Sequence, residues 1–189
     1  EVGHVVLGSV IPTVPQDAYI SRVAALEAGV PQEAPAFNVN RLCGSGLQAI
    51  VSAAQSILLG DCEVAVGAGA ESMSRGAYLV TTNRWGARMG DVKMLDYVVG
   101  ALHDPRLNIH MGITAENVAA RYDITRAQQD AYATQSQQRA AKAIAAGIFK
   151  EQIVPVELKS RKGVVLFDTD EGVKADTSVD TLGSMKPAF

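Results

Sequence analysis

Apolar and polar positions change period several times along this chain, and each change predicts an element. Residues 4–11, HVVLGSVI, form a short apolar run closed by Pro12 and read as a strand. Residues 17–29 have helical spacing and a glycine stop, and residues 34–40 predict a second strand. After Cys43, the residues Leu47, Ile50, Val51, Ala54, Ile57 and Leu58 recur at helical intervals, marking one apolar helix face that ends at Gly60. Residues 63–73, EVAVGAGAESM, then read as a buried strand whose glycines permit close approach by a neighbour. Strand, helix and strand in that order imply a parallel α/β layer.

From about residue 74 to 105 the periodicity weakens, and Arg84, Trp85, Gly86, Arg88 and Gly90 fall in a long irregular segment of the kind that serves function or an interface. Residues 125–147 predict the clearest helix, opened by a Thr125/Gln128 capping pair and closed by Gly147. Residues 152–171 predict a hairpin turning at 160–163. The chain has no internal repeat and no low-complexity tract.

Composition narrows the function classes. With 189 residues and 48% apolar content, the chain can bury the core of one large or two modest domains. Aromatics are only 5%, which suits close helix-on-sheet packing better than an aromatic recognition surface. Net charge is −3; residues 1–95 hold 8 acids and 6 bases and residues 96–189 hold 12 and 11, so there is no basic arm and nucleic acid is not an expected partner. No run approaches the roughly 20 apolar residues of a membrane span, and no leader pattern opens the chain, so the expectation is a cytoplasmic protein with no membrane partner. Cys43 and Cys62 are too few for a disulfide framework, and His4, His103 and His110 are scattered, so no metal is expected. The chain opens on Glu1 just ahead of a strand and stops at SMKPAF without a polar tail, which suggests an internal piece of a longer protein.

Candidate chemistry centres on NVNRLCGSG, residues 38–46. A strand enters, Cys43 sits at the turn and a helix leaves, placing the sulfur beside unpaired backbone N–H groups and the positive end of the helix dipole, an environment that favours thiolate. Gly44, Ser45 and Gly46 are small enough to admit a substrate carbonyl, and the Cys43 N–H is a candidate oxyanion donor. The residues alone leave two readings open: an activated nucleophile, or an inert cysteine filling space.

NRLCGSGLQAI, followed by GAGAESMS, resembles the nucleophile region of the thiolases, the acetyl-CoA acetyltransferase and 3-ketoacyl-CoA thiolase family. Further blocks keep the same order: RWGARMGD, HMGITAENVAARYDITRAQQDAYATQSQQRA, FKEQIVPV and RKG…FDTDE. The likeness spans essentially the whole chain and is strongest to the bacterial biosynthetic and β-ketothiolase branch. It implies that Cys43 takes an acyl group from an acyl-CoA and passes it to a second acyl-CoA, or runs the reverse cleavage, with coenzyme A thioesters as substrates and no separate cofactor. It also implies that His110 and Met111 cover the pantetheine arm and acyl pocket. Leu102 and Phe189 fall where the family contacts coenzyme A. Lys174 stands where an arginine is frequent, giving a point charge without the planar fork, and Thr181 where a serine is common. Residues 75–100, with Arg84, Trp85 and Arg88, resemble the segment through which the tetrameric branch associates, so a homo-oligomer is expected.

Other residues have blander readings: Cys62 as a small filler, His103 as a loop residue, Arg161 and Lys162 as solvated charge at a hairpin tip or a phosphate contact, and Glu71 either as a carboxylate that orients backbone near the nucleophile or as a solvated or capping one. The implied fold class is α/β, a partial thiolase-like fold. Residues 1–73 would be part of the N-terminal domain carrying the nucleophile, and residues 74–189 a loop domain covering the coenzyme A site and the oligomer interface. A complete thiolase resembles a chain about twice this long, whose second half supplies GNASG-like, GHP-like and CxGGG-like motifs. None of these occurs here, so little or no turnover is expected of these residues alone. Two other readings stand beside this one: a ketoacyl-synthase-like condensing enzyme, against which HMGITAEN argues, and a non-catalytic coenzyme A-binding or assembly module.

Overall fold

The computed structural model describes residues 1–189, which pack as two units, Glu1–His110 and Met111–Phe189. The first is built on a three-stranded parallel sheet. Strand β1 (His4–Gly8) lies in the middle, β2 (Ala36–Val39) on one side and β3 (Ala65–Gly69) on the other, with Val6 opposite both Phe37 and Gly67. Helix α1 (Ile20–Glu27) precedes β2, and helix α2 (Ser45–Leu58) carries the chain from β2 to β3. All three strands therefore end at one rim, as parallel α/β crossovers require. Val6, Ala49 and Ala53 form the innermost cluster, with Val39 and Ala65 against it. Fully burying Val6 contributes about 2 kcal/mol.

The helix expected over 17–29 is a 3-10 turn (Pro15–Tyr19) leading into α1. Its start is irregular because the Asp17 carboxylate accepts from the Thr13 and Val14 N–H groups, holding the chain in a tight turn. Asn38 on β2 fixes the junction: its Oδ1 accepts from the Ser21 N–H, and its amide nitrogen donates to the Asp17 and Ala18 carbonyls, each at 3.0 Å.

Helix α2 turns a different face to the sheet from the one its apolar spacing marks. Ser45, Ala49, Ala53 and Ser56 are its buried residues, whereas Leu47 is 70% exposed and Leu58 83%. Glycines in the sheet explain the choice. A Cβ on Gly67 would lie 2.8 Å from the Ile50 Cα, and one on Gly8 would lie 2.7 Å from the Ser45 carbonyl carbon. The helix backbone rests directly on the strands, and only a stripe of small side chains fits there. Strand β3 is an edge strand and half open, with Val66 exposed, rather than buried as its composition suggests.

The weakly periodic stretch that follows contains two short antiparallel ladders. Strands β4 (Tyr78–Leu79) and β5 (Leu95–Asp96) form the first, and β6 (His103–Asp104) and β7 (Ile109–His110) the second. Helix α3 (Tyr97–Ala101) runs between them, capped by the Asp96 carboxylate, which accepts from the Val98 and Val99 N–H groups. Residues 80–94 contain no helix or strand, and Trp85 and Met89 are almost fully exposed.

In the second unit, α4 (Met111–Arg121) leads into α5 (Arg126–Ala145). The capping pair read from sequence forms at α5: Thr125 Oγ1 accepts from the Gln128 N–H, and Gln128 Oε1 accepts from the Thr125 N–H. Gly147 follows with φ of 71°, a left-handed stop that glycine adopts without a Cβ penalty. Strands β8 (Val156–Ser160) and β9 (Gly163–Phe167) make the expected hairpin. Arg126 ties α5 to α6 (Val179–Gly183): Nε donates to Asp130 at 2.8 Å, and Nη2 donates to the Leu182 and Met185 carbonyls.

Candidate active site

The turn between β2 and α2 is built residue by residue around Cys43. After Val39 ends the strand, Asn40 Oδ1 accepts from the Leu42 N–H at 3.0 Å, and Leu42 adopts φ of 48°. The Gly44 N–H donates to the Arg41 carbonyl, and the Ser45 N–H to the Leu42 carbonyl. The Ser45 hydroxyl, buried beneath the turn, accepts from the Arg41 N–H at 2.9 Å and donates to the Leu42 carbonyl at 2.6 Å. Cys43 is a free, exposed thiol two residues ahead of the first helical residue of α2. Its neighbours hold the backbone while leaving the sulfur open.

Cys43 lines a pocket of about 390 Å³ at the carboxyl rim of the sheet. Gly8, Val10 and Ile11 come from the end of β1, Gly69, Ala70 and Glu71 from the end of β3, and Met73, Ala101 and Leu102 complete the wall. Glu71 is turned to the backbone: Oε1 accepts from the Ile11 N–H at 2.8 Å, and Oε2 from the Val10 N–H at 3.1 Å. Of its two sequence readings, the backbone-orienting one is the observed arrangement. An adjoining hollow of about 170 Å³ shares Ile11, Ala70 and Glu71 and reaches Asp17. The Thr13 N–H, then the Thr13 hydroxyl and the Val14 N–H, hold the Asp17 carboxyl below its ordinary value of 3.8.

Among the other residues singled out from sequence, Leu102 shares the pocket with Cys43. His110 closes the first unit; its ring meets that of His103 edge-on with centroids 5.1 Å apart, and His103 Nδ1 bonds the Val99 carbonyl at 2.7 Å. His103 is thus a strand residue and not a loop residue. In the second unit, Met111 opens α4, and the Phe189 ring lies over Gly112, leaving no room for a Cβ there. Phe189 also lines a cavity of about 760 Å³ with Leu182 and Met185. Lys174 is exposed, its backbone N–H donating to Gln137 Oε1. The Thr181 hydroxyl caps α6, accepting from the Ser178 N–H and donating to the Ser178 carbonyl.

A model of the thiolase N-terminal domain matches residues 1–189. The chain belongs to the thiolase family. It is 62% identical over its whole length to the beta-ketothiolase BktB of Cupriavidus necator, covering 48% of that protein, and 47% identical to an acetyl-CoA acetyltransferase of Chromobacterium violaceum, again over 48% of its length. Among solved structures, the acetyl-CoA acetyltransferase of Bacillus anthracis superposes with a TM-score of 0.92 at 43% identity, covering all of this chain and 48% of that one. A human mitochondrial 3-ketoacyl-CoA thiolase in complex with CoA gives 0.92 at 37% identity, over 47% of its chain. The chain thus spans about half the length of the relatives it matches, with the thiolase-like α/β fold expected from its motifs.

Sequence reasoning about this thiolase chain missed Met73, Ala101 and the Val10–Ile11 loop as pocket walls. Residues just past the ends of parallel strands are the usual lining of such a crevice, so the ends of β1 and β3 carried the available signal. Nothing local flags Ala101, which reaches the pocket through the short ladders. No helix of the chain is long and apolar enough to cross a membrane, and no cluster of three or more metal-binding side chains occurs.

Proposed function

We propose that the protein is an acyl-CoA acyltransferase that forms or cleaves 3-ketoacyl-CoA, such as acetoacetyl-CoA, through an S-acyl intermediate on Cys43. The observation that carries this reading is the open Cys43 thiol at the start of α2, facing an apolar pocket whose far wall includes Leu102. The thiolate sulfur attacks the thioester carbonyl carbon, the carbon–sulfur bond to coenzyme A breaks, and coenzyme A leaves with a proton as the free thiol. A second acyl-CoA, deprotonated at its α-carbon, then attacks the S-acyl carbonyl and returns the cysteine. Exchange of one thioester for another is nearly balanced in energy, so neither direction is blocked.

In this reading Leu102, His110, Met111, Lys174, Thr181 and Phe189 contact the coenzyme A moiety. Residues 1–73 carry the nucleophile, and residues 74–189 form the loop domain that covers the substrate. The relatives are named as a beta-ketothiolase and an acetyl-CoA acetyltransferase, which supports the chemistry. The family's further motifs, absent from these residues, would supply the general base, so these 189 residues alone are proposed to turn over little substrate. Assembly as a cytoplasmic homotetramer through residues 75–100, with a part in fatty acid metabolism, completes the proposal.

The test is intact mass spectrometry of the source protein at its own length before and after incubation with acetyl-CoA, with peptide mapping of any adduct. One acetyl group on Cys43 is the expected result. A folded protein that binds coenzyme A but carries no adduct on Cys43 would replace this reading with a non-catalytic coenzyme A-binding module.

A further inference from the structure

Leu42, the residue immediately before the nucleophile, has φ of 48°, in the left-handed region that disfavours a side chain with a Cβ. Such a residue persists only where its surroundings over-determine it. Here both backbone polar groups of Leu42 are held by side chains. Asn40 Oδ1 accepts from its N–H at 3.0 Å, and Ser45 Oγ donates to its carbonyl at 2.6 Å. The same Ser45 oxygen accepts from the Arg41 N–H at 2.9 Å, so one buried hydroxyl spans the turn on either side of the strained residue. From below, the bare Cα of Gly8 lies against the Ser45 backbone and leaves the start of α2 no room to sink.

We infer that Asn40 and Ser45 are positioning residues for Cys43, a two-sided latch that holds Leu42 left-handed and thereby aims the thiol into the pocket at the start of α2. This rests on the acyltransferase reading for its purpose, but not for its geometry. Glycine adopts the left-handed region without penalty, so a glycine at position 42 removes most of the need for the latch. A hydroxyl that merely stabilised the domain would not show that dependence.

The experiment measures alkylation of Cys43 by iodoacetamide in the full chain, with Cys62 in the same protein as the reference thiol. It is run on the wild type, S45A, N40A, L42G and the two doubles carrying L42G. Loss of one hydrogen bond to the turn should slow Cys43 about five- to tenfold in S45A and about two- to threefold in N40A, where the side chain is exposed. Cys62 should not change. Each double should fall within about twofold of L42G alone, because the coupling disappears with the strained side chain. Unchanged Cys43 rates in both single variants, or losses that persist undiminished in the doubles, would overturn the latch. If S45A unfolds, as a parallel acceleration of Cys62 would show, the exposed N40A and its double decide the matter by the same criteria.

Acetyl-CoA loading read alongside separates the two proposals. The latch predicts a lower maximal loading rate with the half-saturating acetyl-CoA concentration unchanged, since the Ser45 hydroxyl faces the backbone. A source protein of full length that alkylates with the expected pattern but never loads acetyl ends the acyltransferase reading and leaves the latch standing. A wild type that loads while the variants match it ends the latch alone.

Discussion

Replacing Gly8 by alanine tests the closest approach in the molecule that bears on the site. A Cβ there would lie 2.7 Å from the Ser45 carbonyl carbon and oxygen and 2.9 Å from the Gly46 nitrogen. Non-bonded carbon atoms are most comfortable at about 3.5–4.0 Å, so the start of α2 would have to withdraw by about 1 Å. The obstacle is backbone and not the end of a flexible side chain, so no rotamer change relieves it. Overpacking of this kind costs about 1–3 kcal/mol. Gly69 provides the control, because it too ends a parallel strand against α2, yet a Cβ there would meet the Gly8 oxygen at 3.6 Å and the Gly46 Cα at 3.8 Å, ordinary contact distances. Both substitutions share the intrinsic gain of alanine over glycine in a strand, so that contribution cancels in the comparison. The assay is urea unfolding of the full chain followed by circular dichroism, in which G8A should lower the midpoint relative to G69A by about 1 M. Acetyl loading of Cys43 should slow in G8A as well, since the withdrawn segment carries the nucleophile turn. A G8A midpoint equal to or above that of G69A would refute the argument that α2 rests backbone-on-backbone against β1.

Two other perturbations follow from named contacts. Glu71→Ala leaves the half-buried Val10 and buried Ile11 N–H groups without their acceptor and should cost about 1 kcal/mol, while Glu71→Gln, which keeps one acceptor oxygen, should cost less than half as much; thermal unfolding midpoints check this, and equal midpoints for wild type and E71A would count against it. The Asp17 carboxyl is held below its ordinary value of 3.8 chiefly by the Thr13 N–H. A depressed carboxylate contributes stability that is present above the unfolded value and lost as pH falls through the folded one. Wild type should therefore be more stable than D17N near neutral pH, with the difference fading as the pH drops below 3.8; a gap between their urea midpoints that stays constant into acid would sink this account.

Local signals served well where a single element decides its own conformation. The Thr125/Gln128 pair caps α5 as read, and the hairpin turns at Ser160–Gly163, where Gly163 has φ of 121°. Cys43 was legible because strand, small residues and helix follow one another without a gap, so that its place at a helix start is a local property. The pocket was legible only in part. Leu102 reaches it through α3 and the short ladders around it, which carry no strong periodicity and hold together by pairings too brief to read in a sequence.

What the sequence determined by itself was the order of elements, the place of the thiol between β2 and α2, and the thiolase motifs, because these depend on neighbours within a few positions. What only the tertiary structure decided was which face of α2 meets the sheet and what Ser45 does there. Helical spacing shows that Leu47, Ile50 and Leu58 share a side; it does not show that Gly8 and Gly67 bring the strands so close that the buried stripe must be Ser45, Ala49, Ala53 and Ser56. Ser45 looked like a small residue making room for substrate, and packing made it the buried hydroxyl that holds Leu42. The reason is geometric: period reveals the character of each helix face, whereas contact distance between two backbones, set by residues far apart in the chain, selects the face that is used.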